Sequence, residues 1–257
     1  MTQQSTKDLR EFYEQSYERD SGLTPLLDPH DFMYAQVITQ LQPYLKKTAK
    51  ALDLGCNTGA LSLYMASMNS EVIGIDLASN AIATAQKSAE QHNIGNVQFY
   101  SMDFIKEWSK QSVFDFVLCN HVIEHVPDDS ALLKKIAEAL QPEGHLVLMT
   151  PTVYSILYRW YKLTGKPFAF DQDVGHLRRY NKEEMLNLIS ASGLEVSKVV
   201  FLDSPLRELC IIPKALRRVQ VIFRLPGIRS VINFLDTVLA RLFFPATICV
   251  HAKRIAD

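Results

Sequence analysis

The sequence predicts an α/β protein with a doubly wound, seven-stranded mixed sheet, N-terminal helices and a helical insertion before the last strand. Three observations predict it. Short, near-continuous apolar runs alternate with helix-length segments, the pattern of a sheet covered on both faces. The first run, ALDL, passes into a glycine-punctuated turn, GCNTG (55–59), and then into a helix. Acidic residues stand at or near the carboxyl ends of three successive runs: Asp53, Asp76 and Asp103.

Residues 5–19 and 31–46 read as two helices separated by the turn-rich stretch SGLTPLLDPH. AKALDLG (49–55) is the first strand and leads into a helix over 59–68. EVIGID (71–76) is the second, followed by a long helix with Ser79 or Asn80 as its cap. VQFYSMD (97–103) is the third strand and FDFVLCNHV (114–122) the fourth, with a helix near 129–140 after it. QPEG turns the chain into the fifth strand, GHLVLMTP (144–151). The aromatic stretch TVYSILYRWYKLTGKPFAF opens a lid or pocket wall spanning 152–180. NKEEMLNLISASG (181–193) is a capped helix closed by glycine. LEVSKVVFLD (194–203) is the sixth strand and ATICVHAKR (246–254) the seventh. The expected organisation is a helical cap over 1–46, a ligand-binding core over 47–203, and an insertion with the final strand over 204–257.

The chain has 257 residues, 47% hydrophobic and 21% charged, which suits one large domain or one domain with an appended piece. A net charge of −1 argues against a general nucleic-acid partner. Cys56, Cys119, Cys210 and Cys249 show no CxxC spacing, which argues against structural zinc or disulfides and fits a reducing compartment. The polar N-terminal stretch lacks the apolar segment of a secretory signal. No run of about 18 apolar residues predicts a spanning helix. The expected location is cytoplasmic, with peripheral membrane contact as a further expectation.

Ligands of open α/β sheets bind outside the carboxyl ends of the strands. Asp76 lies about twenty residues past the glycine turn, where a carboxylate grips ribose hydroxyls. The dinucleotide fingerprint GxGxxG does not fit, because Gly55 is followed by Cys-Asn-Thr-Gly and then Ala60. Helix caps and loop carboxylates are the structural alternative for the three acids.

The whole spacing resembles class I S-adenosylmethionine (SAM)-dependent methyltransferases, whose Rossmann-like core carries strand-(D/E)xGxGxG-helix and then acids ending strands two and three. The resemblance covers about residues 45–203. It implies SAM as cofactor, with Gly55 and its neighbours near the methionine part. Asp76 is implied to take the ribose hydroxyls, Leu77 to pack on adenine, and Asp103 to accept from the adenine amine beside Phe104. Tyr17, Asp53, Cys56, Asn57, Gly59, Asn120 and His121 complete the implied cofactor set. Asn57 stands where the family has a middle glycine, and asparagine tolerates positive φ better than other non-glycine residues.

FDFVLCNHVIEHVPDD (114–129) resembles the fourth motif of small-molecule methyltransferases of the ubiquinone O-methyltransferase group. That resemblance implies Asn120 and His121 near the amino-acid end of SAM, and Glu124 and His125 nearer the acceptor. Methyl transfer is an in-line displacement, so alignment dominates, and a hydroxyl acceptor also benefits from a base. Histidine titrates in the right range. His125 is the first candidate and His176, in VGHLRRY (174–180), the second. Each also reads as a structural histidine. Arg178 and Arg179 read as a solvated face, with an acidic acceptor group as the alternative. Some related enzymes hold a divalent metal through Glu-x-x-Glu-His. This chain reads Asn-His-Val-Ile-Glu-His, with Asn120 in place of the first acid and Glu124 and His125 kept, so no metal is expected.

Residues 204–244 hold seven basic residues against two acidic ones, Glu208 and Asp236, a net +5 that leaves −6 on the rest of the chain. Two readings compete: a helical cap with solvated arginines, or a segment on an anionic membrane surface. A dimer interface is the third; the sequence leaves the oligomeric state open. The aromatics Tyr154, Tyr158, Trp160, Tyr161, Phe168 and Phe170 are expected to border the acceptor side.

The functional expectation is O-methylation of a small-molecule acceptor of quinone-like, polyketide or lipid-linked kind, with apolarity of the acceptor as a further expectation. The alternatives are a membrane-surface methyltransferase of a glycolipid or saccharide precursor, and a SAM-binding module without turnover.

Overall fold

A computed structural model describes residues 6–17, 22–45, 49–111, 113–211 and 226–255. Seven strands form one sheet: β1 (Lys50–Leu54), β2 (Glu71–Asp76), β3 (Val97–Ser101), β4 (Phe114–Asn120), β5 (Leu140–Pro151), β6 (Leu194–Leu202) and β7 (Thr247–Arg254). Their spatial order is β3-β2-β1-β4-β5-β7-β6. β7 runs antiparallel to both β5 and β6, and the pairings among the other strands are parallel. The order reverses between β1 and β4, the crevice where ligands of such sheets bind. The doubly wound mixed sheet expected from the sequence is the observed fold.

The helices are α1 (Thr6–Tyr17), α2 (Ala35–Leu41), α3 (Ala60–Ser67), α4 (Ser79–Gln91), α5 (Phe104–Glu107), α6 (Asp129–Ala139), α7 (Ile156–Leu163), α8 (Ala169–Val174), α9 (Lys182–Ala191), α10 (Pro205–Ile211) and α11 (Pro226–Leu242). One face of the sheet packs Val117, Leu146 and Leu148 against Leu133, Ile136 and Ile189 of α6 and α9. The other packs Ala51, Leu118 and Val147 against Ile38, Leu41 and Met65 of α2 and α3. Both faces are apolar, so the strands read as unbroken apolar runs rather than alternating ones.

Local chemistry moved several boundaries. The second helix is shorter than 31–46 because Pro43 lacks a donor; α2 ends at Leu41 and a 3-10 turn, Gln42–Tyr44, follows. β5 pairs from Leu140, opposite Phe114, so strand pairing brackets the expected QPEG turn. Neither Ser79 nor Asn80 caps α4. Ala78 holds the cap position, and the Glu14 carboxylate of α1 accepts instead from Ser79 N at 2.6 Å and Asn80 N at 3.3 Å. The expected cap of α9 is a capping box formed by Asn181 and Glu184. Within the insertion, residues 212–225, including Lys214, Arg217, Arg218 and Arg224, lie outside the described residues.

Candidate active site

The turn after β1 is shaped by backbone constraints. Gly55 N and Cys56 N both donate to Ile75 O, at 2.8 and 3.0 Å, which locks the turn to β2. Gly55 has φ +71°, and a Cβ there would lie 2.3 Å from a methyl of Val122. Asn57 adopts φ 53°, the left-handed conformation that the replaced glycine demanded. Gly59, at φ +86°, opens α3.

Three carboxylates surround this turn. Asp76 accepts from Asn57 N and Ala78 N, both at 2.9 Å, so it fixes the turn as well as facing the crevice. Burial pushes the Asp76 carboxyl up, and its backbone hydrogen bonds only partly offset that. Asp53 is buried and bonded to Ser62 Oγ at 2.6 Å. Burial, aided by the nearby charge of Asp76, pushes its pKa up to about 6. Asp103 caps α5, accepting from Ile105 N at 3.1 Å and Lys106 N at 3.3 Å, while pairing with Lys106 Nζ at 3.3 Å.

A cavity of about 850 Å³ opens over these groups, within the range of cofactor pockets. Asp53, Gly55, Cys56, Asn57, Asp76, Leu77, Asp103, Phe104, Asn120, His121 and His125 all line it. So do Tyr13, Tyr34, Lys106 and Val126-Pro127-Asp128, which the sequence reading missed. Tyr13 and Tyr34 come from the helical region preceding the sheet, where no motif marks them. Gly59 shapes the turn without lining the cavity, and the side chain of Tyr17 lies outside the described residues.

The acceptor side is a linked set of imidazoles and carboxylates. Glu124 is fully buried; it takes the His121 Nδ1–H at 3.0 Å on one oxygen and Thr150 Oγ1–H at 3.0 Å on the other. Burial pushes the Glu124 carboxyl up, but the bond from His121 and the His121 and His125 charges outweigh it and hold it below its ordinary value. The same contact raises His121 against its own desolvation. His125 donates Nδ1–H to Gly175 O at 3.1 Å, which leaves Nε2 as its basic nitrogen. Burial lowers its pKa, keeping the ring neutral near neutral pH.

His176 does not line the cavity, contrary to its reading as a second base. Its side chain is 7% exposed, with Nδ1 bonded to Asp171 at 2.7 Å and its ring 4.8 Å from that of His125. It is packed behind His125. Asp171 is in turn clamped by Arg179, whose side chain is 4% exposed and which stacks on Tyr158 and Phe168. Arg178 binds Asp129 at 2.7 Å and Pro127 O at 2.8 Å. Both arginines are therefore structural, neither a solvated face nor an acceptor clamp. The six aromatics of 152–180 do not line this cavity either; Phe170 packs against Phe168 and the His176 ring, at 6.0 and 5.8 Å.

One arrangement was not legible from spacing. Glu124, His125 and His176 bring one ligand atom each within 4.8 Å of one another. His121, three residues before Glu124, and not Asn120, stands where Glu-x-x-Glu-His has its first acid. With Nδ1 of both His125 and His176 held by oxygen partners, the three groups fit the donor set of a divalent cation.

Fold and site together define an α/β protein of the doubly wound class, with three carboxylates of one cavity carried on β1, β2 and the β3–α5 turn. The chain belongs to the methyltransferase-domain family, whose model matches residues 31–199. It is 31% identical over 103 residues to the ubiquinone biosynthesis O-methyltransferase of Acinetobacter baumannii (strain AYE), covering 39% of this chain and 43% of that one. It is 31% identical over 153 residues to the protein of the same name in Idiomarina loihiensis, covering 57% and 61%. The chain thus spans about half the length of the curated relatives it matches. Among solved structures, phosphoethanolamine N-methyltransferase 2 of Haemonchus contortus, in complex with SAM, superposes with a TM-score of 0.65 at 18% identity, covering 99% of this chain and 58% of that one.

Proposed function

We propose that the protein is a SAM-dependent methyltransferase acting on a hydroxyl of a small, largely apolar acceptor of quinone-like, polyketide or lipid-linked kind. The observation that carries the cofactor reading is the cluster of Asp53, Asp76 and Asp103 around one left-handed turn in a single cavity. Two of these carboxylates are pushed up by burial, so a cationic ligand would relieve their desolvation. SAM carries a sulfonium and an ammonium, and its ribose offers two hydroxyls to Asp76.

Chemistry follows from His125. The acceptor oxygen attacks the methyl carbon in line with the C–S bond, the carbon–oxygen bond forms as carbon–sulfur breaks, and the sulfur leaves as a neutral thioether. The acceptor proton passes to His125 Nε2, the nitrogen left free by the bond to Gly175 O. Gly175 O and the His176 ring, 4.8 Å away, position that imidazole. If Glu124, His125 and His176 instead held a divalent cation, His125 Nε2 would be a ligand and not the base, and the cation would supply Lewis acidity to the acceptor hydroxyl in its place. The family relationship to ubiquinone O-methyltransferases supports oxygen as the methylated atom.

Calorimetry tests the cofactor assignment. Asp76→Ala should weaken SAM binding by one to two orders of magnitude, about the effect of losing a charge-assisted hydrogen bond. Unchanged affinity would sink the assignment. A protein that binds SAM tightly, yet transfers labelled methyl to no hydroxylated quinol, polyketide or glycolipid acceptor, would instead be a SAM-binding module.

A further inference from the structure

α11 is turned the wrong way round for a helix facing water. Its one acidic residue, Asp236, is fully buried, bonded to Arg207 Nε at 2.7 Å and to Ser204 N at 3.0 Å. Asn233 also turns toward Arg207, at 3.3 Å. The opposite face presents Ile228, Val231, Phe234, Leu235, Val238 and Leu242, a stripe at three- and four-residue spacing, with Phe234 67% and Leu242 65% exposed. Such a stripe ordinarily faces a core. The apolar surface continues through exposed Phe243 and Phe244. The Arg159 guanidinium of α7 lies over the Phe244 ring, 5.5 Å from its centroid, which joins α7 to this face. On α7, Trp160 is 60% and Leu163 86% exposed.

We infer that this face is a docking surface for an anionic lipid bilayer. Charge decides among its occupants. Among the described side chains of 156–167 and 226–246, every exposed charged group is basic: Arg159, Lys162, Lys166 and Arg241. The acidic group of these stretches, Asp236, is withdrawn into the protein. Large apolar side chains rimmed by cations are the pattern of an interfacial helix, with the rings and leucines in the acyl boundary and the cations among lipid phosphates. A second copy would pair the face with itself and set like charges against each other. Among the described residues no helix is long and apolar enough to cross a membrane, so this helix lies in the surface plane.

Vesicle co-sedimentation of the full chain tests this. The protein should bind vesicles containing phosphatidylglycerol, bind phosphatidylcholine vesicles far less, and release as salt rises. Phe234→Ser with Leu242→Ser should weaken partitioning by more than about tenfold, and Arg241→Glu by about tenfold. These side chains are exposed, so melting temperature and SAM affinity should match wild type. Three results would overturn the inference: no binding to anionic vesicles, undiminished binding by the double variant, or a solution dimer that the double variant dissociates.

Discussion

Replacing Gly55 by alanine probes the joint between the cofactor turn and the histidine loop. Two effects add. At φ +71° an L-residue is strained by about 1–2 kcal/mol. The new Cβ also falls 2.3 Å from Val122 Cγ2, and forcing a methyl into packed surroundings adds about 1–3 kcal/mol. Together they destabilise the fold by about 2–5 kcal/mol, a large share of a typical total stability. Val122 is three residues from His125, so relief of the clash by moving Val122 also displaces the proposed base. Combining Gly55→Ala with Val122→Ala separates the two effects, because without the γ-carbons the closest remaining Val122 atom is Cβ at 3.6 Å, an ordinary contact. Urea unfolding should therefore show the single variant strongly destabilised and the double variant partly restored, with about 1–2 kcal/mol of strain remaining. A single variant within about 0.5 kcal/mol of wild type would refute the reasoning. So would a double variant with no recovery.

Arg207→Met should destabilise by about 3–5 kcal/mol in denaturant titration, because Asp236 is left buried without its cation. Adding Asp236→Leu should recover much of that loss; a double variant weaker than the single would count against the argument. For Asp53 the folded pKa is raised to about 6, so its carboxyl favours folding at low pH and that contribution is lost as pH rises from about 4 to about 6. Asp53→Asn should thus gain on wild type across that window, by on the order of 2–3 kcal/mol, and stay level above it; a gain that shrinks with rising pH would contradict the assignment. In kcat–pH profiles the ascending limb should centre below the ordinary histidine value, since burial lowers His125. His125→Ala should lower kcat about a hundredfold or more with SAM affinity little changed, and an intact limb in that variant would place the base elsewhere.

The succession of strands along the chain and the turn after β1 were legible because each rests on local rules: apolar runs for two-sided burial, and glycine or asparagine for positive φ. What the sequence hid depends on contacts between distant segments. Glu14 caps α4 across 65 positions, where Ser79 looked sufficient on its own. His176 read as a candidate base and Arg179 as part of a solvated face because spacing cannot show that Asp171 already occupies both. Tyr13 and Tyr34 reach the cavity from ahead of the first strand, with no periodicity to mark them. Arg207, one of the arginines that read as solvated, is instead buried and draws Asp236 and Asn233 of α11 inward.

β7 carries a consequence for how the protein is made. Among the described residues it follows every other strand, yet it sits between β5 and β6 and is the one strand that β6 pairs with. While a ribosome still shields the last strand, β6 has two open edges, and β5 is paired only to β4. Synthesis of the cofactor half can finish well before the sheet can knit together. Until then, the open edges are ready templates for another chain, so a nascent or clipped protein is exposed to aggregation on the side away from its cofactor.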